Sequence, residues 1–138
     1  FSGLPNAFVA DSGTLPCYKP RIAFRDITNR TNTRTIVAAL VPPKVFLTNA
    51  APYVLFSRGT LVDEAFLLGC LCSLPLDWYA RRYVETHVNF FIFNPFPIPR
   101  PGPESGLRQR VVDISARLAA PDDRFAEWAS HFGLEPKA

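Results

Sequence analysis

Methionine is absent from all 138 residues and histidine occurs only twice. The chain opens Phe1-Ser2-Gly3, whereas a translated protein starts with methionine, so the expectation is a segment excised from a longer polypeptide. Glycine-rich nucleotide loops are missing as well: there is no P-loop, no G-x-G-x-x-G and no nucleophile elbow. His87 and His131 have no ligand spacing about them, and Cys17, Cys70 and Cys72 form neither a C-x-x-C nor a zinc set. Free buried thiols in a reducing cytoplasm are the expectation. No apolar run reaches the length of a membrane span, and no signal-peptide pattern is read. These absences leave the segment without a catalytic set, metal or cofactor of its own. A hydrolase or nuclease would need Asp26, Asp63, Asp77 and Glu85, the acids near the expected core, to converge on a metal.

The residues that are present describe a folded domain. An apolar fraction of 48% with 20% charged residues excludes a disordered chain, and the length suits one core. Residues 1–20, with Gly3, Pro5, Gly13, Pro16 and Pro20, read as an irregular connector. Arg21 to Thr28 alternates until Asp26-Ile27, where a bulge is expected, and Arg34 to Val41 is a β-branched, apolar run. The polar turn Asn29 to Thr33 joins them into a hairpin that Pro42-Pro43 ends. Val45–Thr48, Tyr53–Phe56 and Val88–Phe93 read as further strands, the last with both faces buried and stopped by Pro95, Pro97, Pro99 and Pro101. Leu61 to Ser73, entered through a Thr60/Asp63 capping box, is apolar nearly all round and reads as a buried helix broken by Pro75. A short helix, Leu76–Tyr83, follows. Leu107, Val111, Ile114 and Leu118 recur as the apolar face of an amphipathic helix, and Phe125, Trp128, Ala129 and Phe132 as that of a last one ended by Gly133. The expected fold is α+β (α/β): a mixed sheet of about five strands on the buried helix over 21–101, closed by two C-terminal helices over 102–138.

Charge is uneven. Between Lys19 and Arg34 stand five cations against one anion, Asp26, and twelve of the fifteen cations in the chain are arginine. Guanidinium forks match phosphates and guanine edges, while a solvated basic face is the plainer reading. The hairpin tip concentrates Asn, Arg and Thr, the side chains that read adenine, guanine and either base edge or phosphate. Asp77 and Arg81, four apart, read as a local ion pair. Asn94-Pro95-Phe96 lacks the second proline of the adenine-methyltransferase motif and no glycine-rich cofactor strand precedes it, so no cofactor site is read there.

Three blocks in order, RIAFRDITNRTNTRTIVAALVPPKVFLTNAAPYVLF, LLGCLCSLPLDWYARRYVETHVNFFIFNPFPIPRP and RLAAPDDRFAEWASHFG, cover most of residues 18–133. They resemble the C-terminal specificity region of large adenine-specific DNA methyltransferases of restriction-modification and phage-exclusion systems. The Pro95-to-Pro99 exit and the helix after it also resemble the end of a target-recognition domain in type I specificity subunits, where that helix contacts the methylase. The resemblance implies a bacterial cytoplasmic parent whose methyltransferase domain, elsewhere in the same polypeptide, binds S-adenosylmethionine and methylates the N6 of a flipped adenine in double-stranded DNA. This segment would position the duplex. Asn29, Arg30, Thr31, Asn32 and Thr33 become candidates for base or phosphate contact, with Asn49 and Arg58 in neighbouring loops; Lys19, Arg21, Lys44, Arg81 and Arg82 become candidates for phosphate. Motifs shared by members that read different sequences report scaffold, so Arg25-Asp26, Arg34-Thr35 and Asp77-Trp78 are expected to form a structural network, with readers in the loops Asn49–Pro52 or Phe56–Thr60. The alternative is an interaction module whose C-terminal helices dock on a methylase domain or partner subunit, marked by an exposed apolar stripe.

Overall fold

The computed structural model describes residues 15–56 and 58–135. Most of the expected connector, residues 1–14, lies outside them, and Pro16–Tyr18 forms one 3-10 turn. The five-stranded sheet is not formed. The described residues contain five α-helices and a single two-stranded antiparallel sheet. Strand β1, Arg21–Phe24, pairs with β2, Ala38–Val41, in the register Arg21↔Val41 to Phe24↔Ala38. The hairpin is therefore real, but its arms are shorter than the apolar runs.

Each lost strand has a local cause. At Asp26 the chain leaves β2 and bonds elsewhere: Asp26 N–H donates to Ala50 O, Thr28 N–H to Thr86 O, and Val88 N–H to Asp26 O. The alternation breaks at this point. After Pro42-Pro43, Lys44 takes a left-handed φ of 61°, which turns 45–48 off the sheet and leaves Phe46 85% exposed. Of Tyr53–Phe56, only Tyr53 bridges to Ala23. Val88–Phe93 is the largest correction. Asn89 caps a helical turn by accepting from Ile92 N–H at 3.1 Å, so Phe90–Phe93 is a short helix, α3, and Phe91 is 87% exposed instead of buried. A short apolar run has no period that separates strand from helix, and the capping asparagine decides. Phe93 then stacks on Phe24 at 4.2 Å.

The helices match expectation more closely. Helix α1 is Leu61–Leu71, opened by the Thr60/Asp63 capping box. Helix α2 is Leu74–Ala80; Pro75 sits in its first turn, where no intrahelical N–H is needed, so it starts this helix instead of merely ending the last. Helix α4 is Gly106–Ala119 and α5 is Ala126–Ser130. Asp122 caps the 3-10 turn before α5, and a Schellman closure ends it: Leu134 N–H bonds Ala129 O, Gly133 N–H bonds Ser130 O, and Gly133 has φ +64°.

The core joins Ile22, Phe24 and Leu40 of the hairpin to Leu68 and Leu71 of α1, Val112 of α4 and Trp128 of α5. Helix α4 is rotated away from the expected face. It buries Val112, Ser115 and Ala116, while Leu107, Ile114 and Leu118 are 75%, 58% and 78% exposed. Small residues set the rotation. A Cβ on Gly69 would lie 2.5 Å from Val111 Cγ1, so α1 and α4 approach closely only because that atom is missing. Ser115 Oγ donates to Ala65 O at 2.6 Å across the same crossing.

Glu64, a carboxylate on the apolar helix α1, is 5% exposed and accepts from Trp128 Nε1–H at 3.1 Å. Burial pushes its pKa up, against the opposing pull of the indole bond. An acid with a raised folded pKa weakens the fold as pH rises from its ordinary value of 4.5 through the folded one. Glu64→Gln keeps an acceptor for the indole and removes the charge. It is expected to raise the thermal midpoint at pH 7 and to change little below pH 4, as followed by circular dichroism. A lower midpoint at pH 7 would overturn this.

Candidate nucleic-acid interface

The polar loop between β1 and β2 is built on Asp77. Asp77 is 3% exposed, and its Oδ1 accepts from Thr35 N–H and Ile36 N–H, both at 2.8 Å. Arg34 Nε lies 3.4 Å from Oδ1, and Arg81 Nε donates to Oδ2 at 3.0 Å. Burial works to raise the Asp77 pKa, but the Ile36 amide and Arg81, with Arg34 and the Thr35 amide, overcome it and hold the carboxyl below its ordinary value. The two arginines then use their outer nitrogens elsewhere. Arg34 Nη2 donates to Cys72 O at 2.9 Å and Ser73 O at 3.3 Å, a cation at the end of α1 where orphan carbonyls collect. Arg81 donates to three loop carbonyls: Arg30 O at 2.8 Å, Asn32 O at 2.8 Å and Thr33 O at 2.6 Å.

The loop is closed from within as well. Asn29 Oδ1 accepts from Thr31 N–H at 2.9 Å and Thr31 Oγ1 at 3.0 Å, and Asn32 N–H donates to Asn29 O. With its amide oxygen toward Arg25, Asn32 accepts from Arg25 Nη2 at 3.1 Å and Asn29 N–H at 3.2 Å. Thr28, buried, donates to Thr35 O and accepts from Arg25 Nη2. Asn29, Thr31 and Asn32 thus spend their side chains on the turn, whereas the exposed Arg30 and Thr33 do not. The Arg30 guanidinium has no partner among the described residues.

The remaining candidates divide by position. Arg21 is 5% exposed: Nη2 donates to Val45 O at 2.6 Å, Nη1 to Pro16 O, and the guanidinium lies 4.8 Å from the Tyr53 ring centre. It braces the chain and is not presented to solvent. Lys19 and Lys44 are exposed and neighbour the Arg21–Val41 end of the hairpin, where Lys44 N–H donates to Cys17 O. The loop lies at the opposite, Phe24–Ala38 end. Arg82, exposed, follows Arg81 and stacks over exposed Trp78 at 4.9 Å. Asn49 is exposed on the turn whose Ala50 O receives Asp26 N–H. Arg58 is exposed before the α1 cap, in a Phe56–Thr60 loop of which Ser57 lies outside the described residues. The twelve candidates therefore do not form one surface: Arg30, Thr31, Thr33 and Arg82 stand near the loop, and Lys19 and Lys44 at the other end.

The acids stay apart. Asp63 pairs with Arg108 at 2.6 Å and Asp26 with His87 at 3.0 Å, and among the described residues no three His, Cys, Asp or Glu come together to hold a metal. Cys72 is exposed, not buried as expected, and Cys17 and Cys70 are half-buried. Sequence reading missed the Arg81-to-loop and Arg34-to-helix bonds, which link residues about forty to fifty apart; the network of Arg34-Thr35 with Asp77-Trp78 implied by the resemblance is the nearest signal to them. No helix among the described residues is long and apolar enough to cross a membrane. Compared with known proteins, the chain matches no family model, no curated sequence and no solved structure.

Proposed function

We propose that this domain is the DNA target-recognition part of an adenine-N6 methyltransferase, positioning duplex DNA for a catalytic domain elsewhere in the parent polypeptide. The observation that carries the reading is the braced loop. Three carbonyls of residues 30–33 are held by one guanidinium, itself anchored on a buried carboxylate, so the tip is ordered before any partner arrives. Preorganisation lowers the entropy cost of binding. Arg30 offers a fork to phosphate or guanine, Thr33 offers a hydroxyl, and Arg82 on its Trp78 platform adds a second fork. S-adenosylmethionine, methyl transfer and any cleavage belong to the parent, in the bacterial cytoplasm; the domain has no chemistry of its own.

Fluorescence anisotropy with a mixed-sequence duplex across a salt series tests this. Affinity is expected to fall steeply with salt, and Arg30→Ala and Arg82→Ala are each expected to weaken binding and flatten the log–log slope by about 1. A folded chain that binds no duplex at low salt would sink the reading. The second reading, an interaction module, has its own observation: the exposed stripe Leu107, Ile114 and Leu118 on α4.

A further inference from the structure

The groove between β2 and α4 is about 450 Å³, floored by Leu68, Gly69 and Cys72 and walled by Ile114 and Leu118. Its other wall is the outer edge of β2. Phe24 N–H donates to Pro52 O and Ile22 O accepts from Val54 N–H, so the even residues of β1 bond away from β2. The pairs that bond across the hairpin are therefore Arg21–Val41, Ala23–Ala39 and Arg25–Val37, the last seen as Arg25 N–H to Val37 O. The even residues of β2 point their peptide groups outward. Ile36 N–H, outward, is taken by Asp77. Ala38 O receives only the Cys72 thiol at 3.5 Å, and Ala38 N–H, Leu40 N–H and Leu40 O have no partner among the described residues. On the solvent side of the α4 stripe stand Arg110 and Arg117, exposed and without acidic partners among the described residues.

We propose that this groove binds an extended peptide segment that adds as a strand to β2, with apolar side chains at alternate positions and acidic residues beside Arg110 and Arg117. The unpaired peptide groups call for a strand, the apolar floor for alternate hydrophobic side chains, and the two cations for carboxylates. The proposal rests on the reading of the α4 stripe as a docking surface and names the chemistry of its occupant. It is independent of whether the hairpin loop meets DNA.

The probe is a short fluorescein-labelled peptide alternating valine and threonine between glutamates, with a lysine-flanked version as control. The full 138-residue chain is titrated into each, and isotope-edited infrared reports the conformation of the bound peptide. Saturable binding of the glutamate peptide as a β-strand is expected. Ala38→Pro, which removes an outward N–H at an edge where proline is tolerated, is expected to abolish it. Arg110→Glu with Arg117→Glu is expected to weaken it about tenfold or more, reversing two surface ion pairs. Both variants are checked for an unchanged far-ultraviolet spectrum, and Ile114→Asp, on an exposed position, serves where Ala38→Pro fails to fold. No binding, equal binding of the lysine peptide, or binding as a helix would overturn the proposal. Sedimentation separates the two failures: self-association blocked by Ile114→Asp would keep the docking surface and reject the strand, and its absence together with no peptide binding would reject both.

Discussion

Replacing Asp77 by alanine is expected to cost about 3–5 kcal/mol, the range for removing one partner of a buried ion-pair network. Both carboxylate oxygens are in use, so the loss is shared by four partners: the Thr35 and Ile36 amides and the Arg81 guanidinium, which donate to them, and the Arg34 guanidinium, which pairs by charge. The amides are buried and would lack an acceptor; the two cations would face each other without an anion. For a domain whose total stability is about 5–15 kcal/mol, this is a large share, and the thermal midpoint is expected to drop by roughly 10 °C or more. Asp77→Asn separates the contributions, because it keeps one acceptor for the amides and loses the charge. Its pH profile is the second check. The Asp77 carboxyl titrates lower in the fold than in the unfolded chain, so its contribution is complete above the ordinary 3.8 and is lost as pH falls through the lower folded value. The asparagine variant is expected to lack that part of the acid loss. A Tm within a degree or two of the parent for Asp77→Ala would reject the hub. Any defect in DNA binding must be read against this fold effect, since the same residue carries the Arg81 brace.

Trp128→Ala is expected to be comparably damaging, about 3–5 kcal/mol, in the range of large aromatic truncations in a core. Trp128 is 2% exposed and packs against Phe132, with ring centres 4.6 Å apart. The truncation leaves a cavity and also deprives buried Glu64 of its indole donor. Trp128→Phe keeps much of the volume but loses the N–H and part of the fused ring, so it is expected to cost about 1–3 kcal/mol, less than the alanine variant. A double-mutant cycle with Glu64→Gln isolates the charge: the Trp128→Ala penalty is expected to shrink in the glutamine background, where no carboxylate is stranded. Equal penalties in both backgrounds, measured by urea unfolding, would mean that Glu64 ionisation plays no part.

These two sites differ in how they announce themselves. Asp77 and Arg81 at i,i+4 in a short helix are legible as a local pair, and the suspicion that Arg34-Thr35 belongs with them rests on resemblance. That Arg81 spends its outer nitrogens on loop carbonyls about fifty residues earlier has no local signature. Glu64 in an otherwise apolar helix flags a buried polar group, but not that its partner lies in the last helix. Of the candidate site, the loop and its exposed Arg30 are visible as composition, whereas Arg21, a phosphate candidate by resemblance, lies buried against carbonyls.

The local chemistry of the chain sufficed for the Thr60-capped start of α1, the presence of α4, the hairpin turn and the Gly133 stop, because caps, breakers and turn residues act over a few positions. Two matters were settled in three dimensions. Apolar runs became sheet only where a neighbour offered peptide groups at the right spacing: Arg21–Phe24 and Ala38–Val41 found each other, while 45–48 was turned off the sheet, 53–56 kept only the Tyr53 bridge to Ala23, and Phe90–Phe93 was claimed by the Asn89 cap. The face that α4 buries was likewise chosen by closeness of approach, not by its own periodicity. Gly69 admits Val111 and Ser115, so the helix turns its small residues inward and leaves Leu107, Ile114 and Leu118 in solvent.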